Sequence, residues 1–434
     1  MTVERYLAMT PGSAALHERA RRSMPGGDTR TVIAFSPHPL YIESAAGVEL
    51  VDVDGNRYLD LLGNYTSIVH GHAHPDIVAA VQDQVSRGTA HAGGSVPAVE
   101  LAEFMVGRVT GLDSIRFCNS GTEATLNAIR AARAATGRPG VLKFEGGYHG
   151  SHDTVEVSVA PALADSGPAH EPHSVPEELG IPDAVISDVV VAPFNDLTAT
   201  AAIARKHRPA AIIVEPMLGA SGTVPPLPGF LPGLRELADE VEAVLIFDEV
   251  VTFRLATGGA EDWSGVRADL TTFGKVIGGG LPVGAFGGKA EIMDLYAPPD
   301  PTLVQSGTFN ANPLTMAAGL AAMRLLDSAA IARLDRLGER FSEGLDKAVA
   351  DTGVTARVTG RGSLWTLHFT SAEVVDYRSK ATADPAVQRQ FHLELLIEGV
   401  FSAPRGMFAL STVMSDSHVD AAVDRIRRAL SKLG

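Results

Sequence analysis

The sequence predicts an α/β fold in which a large, doubly wound, mostly parallel sheet domain is joined by a smaller α+β domain made from both termini. Three observations predict it. Residues 189–192, 210–214 and 244–247 are uninterrupted runs rich in Val, Ile, Ala and Leu, the pattern of strands covered on both faces. Helix-length segments at 197–206 and 230–241 separate them, giving the strand and crossover-helix alternation of such a sheet. The ends of the chain have a different texture. Residues 40–50 and 51–58 read as short strands joined by a Gly-containing turn, and from about 314 onward amphipathic helices such as 331–350 alternate with short strands at 363–369 and 408–410. The expected division is therefore 1–60 and 313–434 for the smaller domain and 61–312 for the larger. Residues 161–181, rich in Pro, His, Ser and Glu without periodicity, form a loop long enough to be a lid over the site or a disordered segment.

The chemistry begins at Lys275, in Thr271-Thr272-Phe273-Gly274-Lys275-Val276-Ile277-Gly278. A lysine that forms a Schiff base must spend time uncharged, and small, apolar flanking residues favour the uncharged amine by desolvation. Asp248 ends the apolar run at 243–247. A carboxylate at the carboxyl end of a buried strand is what a pyridinium nitrogen needs as a partner. Together they read as a site for pyridoxal 5'-phosphate, whose ring is the electron sink while the protein supplies amine and counter-charge. A dinucleotide loop at 278–284 fails on spacing and on the proline at Pro282.

Asn119-Ser120-Gly121-Thr122-Glu123-Ala124 stands between an apolar stretch at 114–118 and an Ala-rich run at 125–136. Strand, turn and helix in that order bring free backbone N–H groups and the positive end of a helix to one point, making Ser120, Gly121 and Thr122 the phosphate candidates. The plainer reading is an ordinary Ser/Thr N-cap. Tyr148, in Gly146-Gly147-Tyr148-His149-Gly150, suits stacking on a planar heterocycle, with Val250 closing the other side; alone, such a tyrosine is ordinary packing. Glu215, after the strand at 210–214, meets the substrate, meets a pocket arginine, or simply ends its strand. Arg30 and Arg405 lie in loop-like settings outside the larger domain, where a guanidinium fork suits a carboxylate and a solvated surface residue is the plainer reading. His70, His72 and His74, and His149 with His152, complete no tetrahedral set, so no metal is expected.

The ordered set Asn119-Ser120-Gly121-Thr122-Glu123-Ala124, Tyr148-His149-Gly150, Glu215-Pro216, Asp248-Glu249-Val250, Lys275 and Gly307-Thr308 resembles the class III aminotransferases of pyridoxal phosphate fold type I. The likeness is greatest to the branch holding glutamate-1-semialdehyde aminomutases and β-amino acid (β-phenylalanine) aminotransferases, and it runs from Met24-Pro25-Gly26-Gly27 to Phe401-Ser402-Ala403-Pro404-Arg405-Gly406. The resemblance implies that Lys275 forms the Schiff base and that Asp248 pairs with the pyridine nitrogen. It implies that Ser120, Gly121 and Thr122 hold the phosphate and that Tyr148 and Val250 sandwich the ring. Thr308 would reach the phosphate from the neighbouring subunit, which makes the protein a homodimer with shared active sites. Tyr65 would line the substrate pocket; without the resemblance it is a core aromatic. Arg30 matches a substrate-carboxylate arginine of both branches. Arg405 matches the arginine that β-amino acid aminotransferases use for the α-carboxylate of the keto acid, a position where aminomutases typically carry none.

A mutase needs no second-substrate site, whereas a transaminase binds two carboxylic acids in turn, so two carboxylate arginines favour the transaminase. The expected function is ping-pong transfer of the amino group of a β-phenylalanine-like β-amino acid to 2-oxoglutarate or pyruvate. Glutamate-1-semialdehyde 2,1-aminomutase and a broad ω-amine transaminase are the alternatives. The expected partners are a small-molecule amino donor and a keto acid acceptor. A net charge of −15 over 434 residues argues against nucleic acid or an anionic membrane surface. One cysteine, Cys118, excludes an intrachain disulfide and fits a reducing cytoplasm, and no apolar stretch reaches the roughly 18 residues of a membrane span. A soluble cytoplasmic enzyme is expected.

Overall fold

The computed structural model describes residues 2–433. Its strands, in chain order, are β1 (Ile42–Ala46), β2 (Glu49–Asp52), β3 (Arg57–Asp60), β4 (Ser114–Cys118), β5 (Val141–Phe144), β6 (Val189–Ala192), β7 (Ala211–Val214), β8 (Val244–Asp248), β9 (Leu270–Gly274), β10 (Gly284–Gly288), β11 (Arg357–Arg361), β12 (Leu364–His368), β13 (Val400–Phe401) and β14 (Met407–Ala409). The chain divides into a larger unit, Pro75–Ile331 with Val374–Ala381, and a smaller one, Met1–His74 with Ala332–Glu373 and Thr382–Gly434.

In the larger unit the sheet order is β4-β10-β9-β8-β7-β5-β6. From β9 to β6 the strands run parallel, and β10 runs antiparallel between β9 and β4. Successive side chains of a strand point to opposite faces, and both faces are covered. Ile212, Val214, Leu245 and Phe247 pack with Phe230, Leu234 and Ala238 of the helix Phe230–Val241. Ala211, Ile213, Val244 and Ile246 pack with Ala124, Ala128 and Ala132 of the helix Gly121–Thr136. With no solvated face, these strands carry no polar alternation, which is why they were legible as continuous apolar runs.

The segment 161–181 is largely irregular but is pinned within the larger unit. Tyr377 Oη donates to the Pro161 carbonyl at 2.7 Å, and Arg378 donates to the carbonyls of Ser166 (2.8 Å) and Gly167 (2.9 Å) while pairing with buried Glu145 at 2.7 Å. These contacts place Val374–Ala381 in the larger unit despite its late position in the chain.

The smaller unit holds the sheets β1-β2-β3-β13 and β11-β12-β14. β13 pairs in parallel with β3, through Leu59 N–H to the Gly399 carbonyl and Leu61 N–H to the Phe401 carbonyl, both 2.9 Å. The two ends of the chain thus share one sheet, over a core of Tyr6, Leu50, Tyr58, Leu393 and Leu396. The division falls after His74 and Ile331 instead of at 60 and 312. Helix Pro313–Leu325 packs on helices Pro75–Ser86 and Val96–Arg108, and so belongs to the larger unit. Among the described residues no single helix is long and apolar enough to cross a membrane.

Candidate active site

Because β10 is antiparallel to both β4 and β9, β4 runs parallel to the rest of the sheet, and five carboxyl ends lie on one edge. Ser120 follows β4, Tyr148 follows β5, Glu215 follows β7, Asp248 is the last residue of β8, and Lys275 directly follows β9. That edge is where ligands of open α/β sheets bind. Lys275 adopts a left-handed φ of 48°, a conformation that costs a residue with a side chain and is found where function demands it.

The turn at 119–124 opens a capped helix. Ser120 Oγ caps the helix by accepting the Glu123 N–H at 3.1 Å, and Glu123 Oε2 accepts the Asn119 N–H at 2.6 Å. The cap engages Glu123 and not the N–H groups of Gly121 and Thr122, which stand at the positive end of the helix. A Cβ on Gly121 would lie 3.1 Å from Val250 Cγ2, and one on Gly274 would lie 3.3 Å from Val250 Cγ1. Val250 therefore packs against both the turn at Gly121 and the glycine preceding Lys275. A Cβ at Gly284 would fall 1.9 Å from the Ser120 carbonyl, so β10 needs glycine there for the turn to fit.

Asp248 is 3% exposed. Its Oδ2 accepts from His149 Nδ1 at 2.8 Å, and its Oδ1 accepts from Thr272 Oγ1 at 3.0 Å and from the Val250 N–H at 3.2 Å. The carboxylate is fixed in orientation, and His149 Nε2 is buried with no hydrogen-bond partner. His152 nearby is pushed down to about 4, chiefly by burial.

Several side chains at the site were not singled out from the sequence. Ser221 Oγ donates to the Gly146 carbonyl at 2.6 Å and Lys143 Nζ to the Gly147 carbonyl at 2.9 Å, while the Tyr148 N–H donates to Glu215 Oε1 at 3.0 Å and Thr125 Oγ1 donates to the His149 carbonyl at 2.6 Å. Lys143 also donates to the Val157 carbonyl. It is fully buried, and burial pushes its ammonium down to about 7 against the pull of Glu215. The signal for it was a lysine inside the all-buried strand Val141-Leu142-Lys143-Phe144. Glu215, left open between substrate, arginine and strand end, straps the Tyr148 loop and also accepts the Gly219 N–H at 3.0 Å; burial raises its carboxyl. Tyr148 itself is 40% exposed. The loop of exposed Thr308 is tied to the turn at 119–124, Asn119 Nδ2 donating to Asn310 Oδ1 at 2.9 Å.

The substrate-side candidates lie in the smaller unit. Asn64, Tyr65 and Thr66 have φ of 47°, 54° and 77°, a strained left-handed turn for residues with side chains. Asp60 holds it. Its Oδ1 accepts the N–H groups of Leu62 (2.8 Å) and Gly63 (3.0 Å), and its Oδ2 meets His72 Nε2 at 2.6 Å. Tyr65 Oη donates to the Val32 carbonyl at 2.5 Å. The guanidinium carbons of Arg30 and Arg405 lie 5.5 and 5.4 Å from the Tyr65 ring centre, in cation–π range, and Arg30 donates to Asn64 Oδ1 at 2.8 Å. Burial raises the Tyr65 hydroxyl, with the two arginines pulling the other way. Among the described residues no group of His, Cys, Asp and Glu gathers as a metal site.

Residues 33–430 match the aminotransferase class-III family. A curated relative, the glutamate-1-semialdehyde 2,1-aminomutase of Nitratidesulfovibrio vulgaris (strain DP4), is 40% identical over 97% of this chain and 99% of its own. Among solved structures, an omega-transaminase from Sphaerobacter thermophilus is 43% identical with a TM-score of 0.94, covering 97% of each chain. A β-phenylalanine aminotransferase from Variovorax paradoxus is 38% identical with a TM-score of 0.89, covering 98% of this chain and 95% of its own. The expectation of a β-amino acid transaminase is corrected by the curated relatives, which at 39–40% identity over nearly the whole chain carry the aminomutase name. The physical reason is that counting arginines does not count acids: a ping-pong enzyme binds its acids in turn at one site, and Arg30 and Arg405 both lie beside the Tyr65 ring.

Proposed function

Because the chain belongs to the class III aminotransferases, with pyridoxal 5'-phosphate as its cofactor, we propose that it rearranges glutamate-1-semialdehyde, exchanging the nitrogen at carbon 2 for one at carbon 1 and consuming no second acid. The observation that carries this reading is the likeness to the aminomutases over the full chain. Arg30 and Arg405, both in cation–π range of Tyr65, offer positive charge for the substrate carboxylate.

When bound, the cofactor supplies the electron sink for breaking a bond at the amino-bearing carbon. Lys275 would hold it covalently and, once released, would move the proton at the substrate carbon as general base and acid. Asp248, oriented by Thr272, the Val250 N–H and His149, would pair with the ring nitrogen and favour its protonated form. Ser120, Gly121 and Thr122 would take the phosphate, joined by Thr308 from the neighbouring subunit of a homodimer, and Tyr148 and Val250 would lie against the ring. Arg30 and Arg405 take the substrate carboxylate, with Tyr65 bracing both. Glu215 acts through the Tyr148 backbone. We assign the protein to the cytoplasm, a reducing compartment in which a free thiol such as Cys118, buried and pushed up to about 12 by burial, is ordinary.

A broad ω-amine transaminase is the second reading, favoured by the likeness to the Sphaerobacter thermophilus enzyme. The two separate in single half-reactions. Cofactor-loaded protein mixed with glutamate-1-semialdehyde or with 1-phenylethylamine is followed by its visible absorbance. The proposal expects reaction with the first and not the second. Reaction with the amine alone overturns it.

A further inference from the structure

In the smaller unit a cavity of about 230 Å³ opens beside Arg30 and runs between the apolar side chains of Ile33, Phe35, Leu40, Leu50, Leu62 and Phe401. Its two ends differ in chemistry. At the exposed end stands the Arg30 guanidinium, whose contacts are Asn64 and the Tyr65 ring and which pairs with no carboxylate among the described residues. At the interior end stand His392, 3% exposed, and Ser402, 1% exposed. Both ring nitrogens of His392 and the hydroxyl of Ser402 lack hydrogen-bond partners.

Buried polar groups are nearly always satisfied, and each one left unsatisfied costs free energy. Three such atoms from two residues lining one cavity point to an occupant. A lone water needs only a small polar void, whereas this space is larger and walled mostly by hydrocarbon, the composition of a small-molecule site with a few orienting polar groups. The interior end is neutral. Burial pushes His392 down to about 3, so its ring offers one donor and one acceptor, set edge-on to Phe35 at 4.7 Å between ring centres. Asp60 also lines the cavity, but its oxygens are taken by the Leu62 and Gly63 N–H groups and by His72. A charged inner group would find no counter-charge there, while a hydroxyl, donor and acceptor at once, complements both His392 and Ser402.

We propose that this cavity binds hydroxyaryl carboxylic acids, with the carboxylate on Arg30, the ring among the apolar side chains and the hydroxyl on His392 and Ser402. Glutamate-1-semialdehyde has no apolar body to fill it, so the ligand is distinct from the substrate. It competes with the substrate only because both claim Arg30, the one point at which the inference rests on the function proposed above.

Calorimetry on the cofactor-loaded protein tests it with 3-(4-hydroxyphenyl)propionate, 3-phenylpropionate and 4-ethylphenol. The hydroxy acid binds most tightly. Arg30→Gln weakens both acids about ten- to a hundredfold, as for loss of a charge-assisted contact, and leaves the phenol unchanged. Ser402→Ala and His392→Gln weaken the hydroxy acid and the phenol but not 3-phenylpropionate, and Ser402→Ala keeps the uninhibited isomerisation rate. No binding of any probe at millimolar concentration overturns the proposal, as do inner-end variants that weaken hydroxylated and unhydroxylated acids alike. Binding of this pattern without inhibition of isomerisation upholds the cavity and removes Arg30 from the substrate's path, so the two readings fail separately.

Discussion

In the larger unit, four successive residues of the Tyr148 loop, Gly146 to His149, are each held by a buried side chain: Ser221, Lys143, Glu215 and Thr125. In the smaller unit the Asp60 carboxylate holds the Leu62 and Gly63 N–H groups just before the strained Asn64–Thr66 turn, and the side chains of His392 and Ser402 meet no hydrogen-bond partner. The contrast separates two jobs. The first region has its backbone held at four successive residues, His149 Nε2 alone among these side chains lacking a partner, and so is preorganised. The second keeps polar capacity in reserve, so that a ligand must complete it. Damage to the first region should therefore cost stability and activity together, and damage to the second should cost ligand binding alone.

The largest effect is expected at Lys275. Lys275→Ala removes the proton-transfer group, worth about 10²–10⁴ in rate, and with it the visible absorbance of the lysine-bound cofactor, while cofactor still binds through the phosphate turn and Asp248. Spectra and turnover of the variant check both, and a variant retaining near-normal turnover breaks the assignment. Next comes Lys143→Met, which strands the carbonyls of Gly147 and Val157 in a buried setting, at a cost of about 1–3 kcal/mol for each. At roughly 2–4 °C per kcal/mol for a unit of this size, calorimetry should show a clear fall in Tm alongside weaker cofactor binding. An unchanged Tm would erase the contrast between the regions.

Arg30→Gln and Arg405→Gln sharpen it from the other side. Each removes one charge-assisted contact and should lower kcat/KM for the same single acid about ten- to a hundredfold, with little change in Tm. Selective loss in only one of two half-reactions would restore a second acid as substrate. The smallest effect concerns Glu249. Burial raises its carboxyl from 4.5 to about 8, so the folded protein keeps a proton that the unfolded chain releases. That contribution is complete below 4.5 and is lost as pH climbs through about 8. Glu249→Gln keeps the acceptor for the Ala260 N–H, held at 2.7 Å, and should flatten the fall of stability between about pH 5 and pH 8 in denaturant titrations. Equal slopes for both proteins would remove Glu249 as its source.

Much of the larger unit was legible because its strands are buried on both faces, and the apolar runs at β6, β7 and β8 mark their positions within a residue of the sequence-based bounds. Asp248 and Lys275 were legible because each follows or ends such a run. The grip on the Tyr148 loop was not. It draws Thr125, Lys143, Glu215 and Ser221 from four segments, and nothing local marks a residue whose partner is a distant carbonyl. The domain division shifted for a similar reason, since helix Pro313–Leu325 reveals its unit only by what it packs on. The substrate side misled more seriously. The sequence displays that Arg30 and Arg405 exist, but only folding brings both to Tyr65, and the reading of one acid or two could not rest on counting them, because acids bound in turn share one site.

The direct test of that reading is a steady-state balance. Cofactor-loaded protein is given glutamate-1-semialdehyde with no keto acid present, and product is counted against active sites. The account predicts many turnovers per site at a rate that added 2-oxoglutarate or pyruvate leaves unchanged. A reaction that halts after one equivalent per site and resumes only when a keto acid is supplied would contradict it.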